Sequence, residues 1–327
     1  MHVLITGAAG MIGRKLAQKL ARDGGLNGKQ IDKLTLLDVA PPHYAPGFAG
    51  RMEVVDADLS EEGKAARAVE GRPDFIFHLT GVVSGEAELD FDKGYRVNLD
   101  GTRALLEAVR AAGDGYRPRI VYTSSIAVYG APFPPSIPDD FHLTPLTSYG
   151  TQKAIGEVLL ADYTRRGFCD GVGIRLPSIV VRPGKPNKAA SGFFSGIIRE
   201  PLAGEEAVLP VDDTVVHTHA TPRAAVGFLT HAAGLARDAL GPRVNLAMPG
   251  VSCTVAEQIA ALRRIAGERV AGRIRREHDP LIARIVEGWP QRIEARRARE
   301  LGFKAENSFD EIVRIHIDEE LRGTFVA

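Results

Sequence analysis

Cysteine, tryptophan and net charge are what this sequence has least of. Among 327 residues there are two cysteines, Cys169 and Cys253, far apart and in no metal-ligand spacing. A disulfide framework and a structural zinc site are therefore excluded, and no other ligand cluster calls for a metal. Forty-one basic residues offset forty-one acidic ones, giving a formal charge of zero. That balance removes the electrostatic basis for nucleic acid or an anionic membrane as partner. No stretch approaches the roughly 18 apolar residues of a membrane span. The first apolar run, Val3-Leu4-Ile5, starts almost at the initiator with no basic leader before it, which makes a cytoplasmic protein the expectation. There is no internal repeat and no low-complexity tract.

What remains is ordinary globular composition, 44% apolar and 25% charged, in a chain long enough for more than one packed unit. The amino-terminal half alternates short β-branched runs with helical periodicity. Strands are expected at 3–6, 33–37, 52–55, 74–79, 119–123 and 171–176, and helices at 11–21, 61–70, 95–112 and 148–166. This alternation predicts an α/β fold with a doubly wound parallel sheet, its ligands lying beyond the carboxyl ends of the strands. After Leu176 the character changes. Residues 182–191 (RPGKPNKAAS) read as a loop lining a ligand cleft, and Thr254 with Glu257 forms a capping-box signature at a helix start. Arginines crowd 263–299, but Glu268, Glu277, Asp279, Glu287 and Glu294 are interleaved with them, the pattern of solvated faces laced with ion pairs.

Gly7, Gly10 and Gly13 follow the first strand and open the first helix. Gly7 makes the turn, Gly10 admits a pyrophosphate, Gly13 packs helix on strand, and the amides at Met11 and Ile12 face the phosphates. Asp38, closing the second strand, would accept from the adenosine ribose hydroxyls and repel the extra phosphate of NADP, so NAD is the expected cofactor. Gly24, Gly25 and Gly28 sit in an insertion that lengthens the spacing from Gly13 to Asp38. Asp58 at the end of the third strand is either an adenine contact or a surface turn. Tyr149 and Lys153 project from one helix face at i and i+4, where an ammonium favours the phenolate of a group whose free pKa is about 10. A serine-rich segment, Thr123-Ser124-Ser125, ends the fifth strand at the same sheet edge, placed to bond a substrate oxygen that becomes negative.

In this order the motifs resemble the extended short-chain dehydrogenase/reductases over nearly the whole chain. The matching pieces are Gly7, Gly10 and Gly13; Asp58-Leu59; His78 to Gly81; Asn98 to Thr102; Ser124-Ser125 before Val128-Tyr129-Gly130; Tyr149 with Lys153; and Leu301-Gly302-Phe303. The resemblance implies a Rossmann cofactor domain over 1–176, re-entered at about 212–240, and a smaller α/β substrate-binding lobe over 177–211 and 241–327. It assigns Ser125, four residues before Tyr129, to the substrate oxygen, Tyr149 to proton exchange, and Lys153 to the cofactor ribose and to tuning Tyr149. Cofactor contacts are implied from Leu59, Leu79, Thr80, Gly81, Asn98, Thr123 and Pro177. A homodimer is implied through the helices beginning near Tyr95 and Ser148, where Gly101, Ala104, Ala108, Ala154 and Ala161 are small enough for close approach or, equally, for packing on the sheet.

The family includes dehydrogenases, epimerases and dehydratases, and fold does not choose among them. Ile126-Ala127 follows Ser125 where sugar-nucleotide dehydratases carry an Asp-Glu pair, and residues 175–183 (RLPSIVVRP) lack the epimerase-type segment. Residues 80–86, 125–132, 143–153 and 182–194 resemble a group within the family that oxidises the 2-hydroxyl of D-erythronate with NAD. Such a small anionic sugar acid needs a fixed cation; Arg182, Lys185 and Lys188 lie on the cleft loop, Asn187 can meet a hydroxyl, and Ser84 can add a hydrogen bond. Each is equally readable as a solvated loop residue. His217 and His219 have no third metal partner and read as packing or rim residues. An NAD-dependent nucleotide-sugar epimerase is the alternative. A non-catalytic NAD-binding regulator ranks below it, because Tyr149 and Lys153 are both retained.

Overall fold

A computed structural model describes residues 1–42, 46–184 and 190–327. The chain forms two compact units. One comprises Met1–Val128, Thr147–Leu176 and Val226–Ala247; the other comprises Tyr129–Leu146, Pro177–Ala225 and Met248–Ala327.

The first unit is an α/β Rossmann-type layer. Its strands are β1 His2–Thr6, a small antiparallel hairpin of β2 Gly25–Leu26 and β3 Lys29–Gln30, then β4 Lys33–Asp38, β5 Arg51–Asp56, β6 Phe75–His78, β7 Arg119–Ser125 and β8 Asp170–Leu176. The hairpin is what the glycine-rich insertion builds. Among the described residues seven strands form the main sheet, in the order Asn245–Ala247, β8, β7, β6, β1, β4, β5, and every pairing is parallel. A parallel sheet is covered on both faces, so its central strands are apolar without alternation. Val3, Leu4 and Ile5 are accordingly all fully buried. The covering helices include α1 Met11–Asp23, α2 Lys64–Val69, α3 Ser84–Leu89, α4 Phe91–Gly94, α5 Gly101–Ala111 and α6 Ser148–Arg165. Leu105, Leu106 and Val109 of α5 and Leu160 of α6 pack with Leu4, Ile76 and Ile120 of the sheet, each such side chain contributing about 1.5–3 kcal/mol.

Two helices differ from the expected ones for local reasons. The expected helix over 61–70 begins only at Lys64, because the chain from Asp58 is occupied by successive turns, Glu61 N–H to Asp58 O and Lys64 N–H to Glu61 O. The expected helix over 95–112 opens as a π-helical turn, Tyr95–Asp100, before α5. Such wide turns are rare and, where they occur, frequently sit at functional sites; this one carries the buried Asn98.

In the second unit, Val216–Ala220 pairs antiparallel with Val251–Thr254 and parallel with Ser178–Ile179. Ala207–Leu209 pairs with Ile274–Arg276. Helices Gly192–Ala203, Val255–Ala266 and Phe309–Glu320 close a core containing Phe194, Ile197, Leu262 and Ile312. The capping box is present: Thr254 Oγ1 accepts from Glu257 N at 3.1 Å, and Glu257 Oε2 accepts from Thr254 N at 2.6 Å. The arginine-rich segment makes ion pairs, among them Arg263 with Glu268, Arg264 with Asp310 and Arg276 with Asp213. Asp279 instead caps Pro280–Glu287. Both cysteines are buried thiols. Among the described residues no helix is long and apolar enough to cross a membrane.

Candidate active site

The strand register brings Thr6, Asp38, His78 and Ser125 to the carboxyl edge of the main sheet. At β1 the chain enters the glycine turn. Gly7 has φ +73°, and a Cβ there would lie 2.6 Å from the carbonyl carbon of Leu79; one on Gly13 would lie 2.2 Å from Gly7 O. Neither position takes a side chain, so both glycines are demanded by the packing itself. Gly10 is the extended N-cap of α1, with no side-chain cap and no acidic residue in the first turn. The amides at Met11 and Ile12 therefore open a thirteen-residue helix whose positive end has no internal anion. Half-buried Asp38 stands against this turn, its Oδ2 accepting from Ala9 N at 2.9 Å and its Oδ1 from Ala40 N at 3.3 Å. A glycine cradle that a Cβ would fill, an uncapped helix start and a carboxylate beside both fit a dinucleotide.

The other expected cofactor residues are placed less uniformly. Asp58 Oδ1 accepts from Ser60 N at 2.9 Å and from Ser60 Oγ at 2.7 Å, a local Asx turn. Leu59 is buried in the core of the first unit. Leu79 and Thr80 follow β6 half-buried, and the Thr80 hydroxyl oxygen is buried with no hydrogen-bond partner among the described residues. A Cβ on Gly81 would come within 2.9 Å of Asn98 Oδ1 and 3.4 Å of Lys153 Nζ, so this glycine is what lets those two groups approach the loop. Pro177 is buried at the start of a second-unit segment.

Asn98, fully buried on the π turn, accepts from Val82 N at 2.8 Å through Oδ1 and donates to Gln152 Oε1 at 2.7 Å through Nδ2. Its backbone carbonyl accepts from Thr102 Oγ1, which in turn bonds His78 Nε2 at 2.9 Å, while His78 Nδ1 meets Thr6 Oγ1 at 2.7 Å. Because the Thr102 proton is given to Asn98 O, His78 Nε2 carries the hydrogen and Nδ1 accepts. Burial pushes the His78 pKa down to about 3, so this chain is neutral and structural.

Tyr149 and Lys153 stand in the first turns of α6. The helix start is fixed by Thr147, whose hydroxyl accepts from Gly150 N at 3.1 Å, a cap worth about 1 kcal/mol. Lys153 is buried; its Nζ donates to Thr123 O at 2.9 Å and lies 5.8 Å from the centre of the Tyr149 ring and 5.0 Å from that of Tyr122. Burial pulls the ammonium down to about 8, while Glu157 one turn later opposes the fall. Thr123 gives its own hydroxyl proton to His78 O at 3.1 Å. Half-buried Ser125 accepts from Ala127 N at 3.1 Å. The site thus gathers a phenol, a cation near its titration point and a hydroxyl at the end of β7.

Of the expected substrate residues, Ser84 opens α3. Arg182 belongs to the second unit, where its Nε donates to Ile179 O at 3.0 Å and an Nη to Ser191 Oγ at 2.9 Å. Asn187 and Lys188, with Lys185, lie outside the described residues. His217 and His219 are fully buried in an aromatic cluster, and among the described residues no group of three acids, histidines or cysteines stands where it could hold a metal ion. Three groups escaped sequence reasoning: Gln152, Glu157 and Arg175. All are buried and polar. Glu157 alone had a signal, the continued four-residue spacing from Tyr149 and Lys153.

Comparison with known proteins bears on the same chain. The family model for the NAD dependent epimerase/dehydratase family matches residues 3–220. The D-erythronate dehydrogenase of Cupriavidus necator is 49% identical over 323 residues, covering 98% of both chains. That of Haemophilus influenzae is 39% identical over 98% of this chain and 100% of its own. The crystal structure of a nucleoside-diphosphate-sugar epimerase from Agrobacterium tumefaciens has a TM-score of 0.97 at 62% identity, over 99% of this chain and 95% of that one.

Proposed function

The chain belongs to the NAD dependent epimerase/dehydratase family, and from that membership we propose that it is an oxidoreductase converting D-erythronate to 2-dehydro-D-erythronate. The observation that carries the chemistry is the buried Lys153 ammonium beside Tyr149 at the sheet edge that also holds the glycine turn. The observation that carries the substrate is likeness to D-erythronate dehydrogenases along nearly the whole chain.

Bound NAD supplies the acceptor for the hydride leaving the substrate C2. Tyr149 takes the proton of the 2-hydroxyl, so the alcohol loses a hydride and a proton and becomes a ketone. With its pKa near 8, Lys153 is still mostly cationic at neutral pH and favours the phenolate of its neighbour. Ser125 accepts from Ala127 N and so keeps its own proton for the substrate oxygen as charge builds there. Asp38 receives the adenosine ribose hydroxyls, which disfavours the phosphate of NADP. Arg182, Lys188, Asn187 and Ser84 are the groups the family resemblance offers for the carboxylate and hydroxyls of the acid. Asp58, Leu59, Leu79, Thr80, Gly81, Asn98, Thr123 and Pro177 complete the cofactor contacts. The active form is a homodimer, a reading supported by the exposed apolar side chains of Ile155 and Val158 on α6, and light scattering would detect it.

Epimerisation is the second reading, favoured by the 62% identity to the Agrobacterium tumefaciens structure. The two differ in redox balance. An epimerase returns the hydride and accumulates no NADH, whereas a dehydrogenase releases it. A panel of three-, four- and five-carbon sugar acids, assayed with NAD and NADP side by side, is expected to form NADH with D-erythronate and little NADPH. Silence on every acid together with interconversion of a nucleotide sugar would transfer the case to the epimerase.

A further inference from the structure

On α6 the four-residue spacing of Tyr149 and Lys153 continues to Glu157, which is fully buried. Glu157 Oε1 accepts from Ser124 Oγ at 2.5 Å, and both carboxylate oxygens accept from Arg175, with Nε at 2.9 and 3.1 Å and an Nη at 2.7 Å. Ser124 and Arg175 are register partners on β7 and β8. One carboxylate therefore spans two neighbouring strands at their carboxyl ends. Immediately beside it, Lys153 holds Thr123 O. Helix α6 thus grips β7 at two consecutive residues, and the next residue is Ser125.

A buried ion pair is an expensive way to fasten a helix to a sheet, because apolar residues of similar size do so at no desolvation cost. What it adds is direction. Resting on the functional reading above, we propose that Glu157 is a positioning residue, clamping β7 through Ser124 and Arg175 so that Ser125 is presented at a fixed place relative to Tyr149 and Lys153. Both oxygens of the buried Glu157 carboxylate are taken up by Ser124 and Arg175. The ionisable groups facing Lys153 are Tyr149 on its own helix, Tyr122 on β7, His78 on β6 and Glu157 itself, so the clamp also supplies the anion of that group.

The test is a double-mutant cycle of Ser124→Ala and Ser125→Ala, followed by Glu157→Gln. Ser124→Ala leaves the Glu157–Arg175 pair intact and is the variant that keeps the fold. It is expected to lower kcat about tenfold with the KM for NAD unchanged, and to cost nothing further once Ser125 is already alanine. Hydrogen exchange at the Ala127 amide, which Ser125 Oγ holds, should quicken in Ser124→Ala without any cofactor. Glu157→Gln removes an anion and should move the acid limb of the kcat profile to lower pH, by about half a unit. Losses in kcat that add across the cycle, or a fall in melting temperature with kcat, exchange and pH profile unmoved, would reduce Glu157 to a structural tie and overturn the proposal. If the wild-type protein oxidises no sugar acid, only the substrate reading is lost, and the same cycle is run on nucleotide-sugar turnover.

Discussion

Lys153 in the first unit and His217 and His219 in the second are all buried bases, yet only the lysine stands near a carboxylate that supports its charge. Burial lowers the pKa of each. For Lys153 the fall stops at about 8, with Glu157 one helical turn away pulling in the other direction. His217 falls to about 4 and His219 goes well below its usual value, with Arg182 and His217 adding to the fall. The surroundings differ accordingly. His217 lies flat on Phe194, the rings 5.1 Å apart and 2° from parallel, with Trp289 at 5.4 Å and its Nε2 bonded to Ser178 Oγ at 2.7 Å. The falls of Lys153 and His217 are alike in size; the amine starts at 10.5 and ends near physiological pH, where it can still tune a neighbour, whereas the imidazole of His217 starts at 6.5 and ends neutral and packed.

Tyr149→Phe breaks the comparison most sharply. Removing one oxygen should lower kcat about a thousandfold, within the usual range for a general base, while NAD binding followed by titration stays near the wild-type value. Near-native turnover in this variant would show that the charged region of the first unit is not where the chemistry happens.

His217→Phe tests the other side. Folded His217 protonates near pH 4 and the unfolded residue near 6.5, so between those values the unfolded chain binds more protons. Stability is therefore lost as pH falls from 6.5 towards 4, by about 3 kcal/mol in total. A phenyl ring keeps the stack on Phe194 and has nothing to protonate. The variant should lose less stability than wild type on going to pH 4 in urea melts, with NADH formation at pH 7 within about twofold. A collapse of turnover would instead move His217 from packing to chemistry.

Why one region was more legible than the other follows from what each depends on. Strand β1, the glycine turn and the Tyr149–Lys153 spacing are local patterns, and local geometry decides them. The buried face of α6 was not legible as such, because it carries Gln152, Lys153 and Glu157 among its buried residues and apolar periodicity is blind to a polar face that is satisfied by partners distant in sequence. The π turn over Tyr95–Asp100 depends on Asn98 reaching Val82 and Gln152, contacts no helix propensity encodes. Asp58 read as adenine contact or turn for the same reason: the Asx geometry with Ser60 is visible only once the loop is folded. In the second unit the capping box was readable from four consecutive residues, whereas the depth at which His217 and His219 lie depends on aromatic groups from Phe194 to Phe309.

Lys153→Met sharpens the comparison with the smallest expected effect on the cofactor-free fold. The folded lysine gives up its proton near pH 8 and the unfolded one near 10.5. Between those values the unfolded chain holds more protons, so stability rises with pH, and below pH 8 the wild-type fold bears the whole cost of the buried charge, about 3 kcal/mol. Methionine of similar length removes that cost but forfeits the hydrogen bond to Thr123 O, worth about 1 kcal/mol. The variant should therefore be more stable than wild type by about 2 kcal/mol at pH 7 in denaturant melts without NAD, and the gain should shrink steadily between pH 8 and 10.5. A lysine kept for packing would show the reverse, a loss on substitution at every pH. A gain at neutral pH that fades as the solution is made alkaline would mark a side chain retained at the expense of stability, which is the behaviour of a working site and the opposite of the histidines in the second unit.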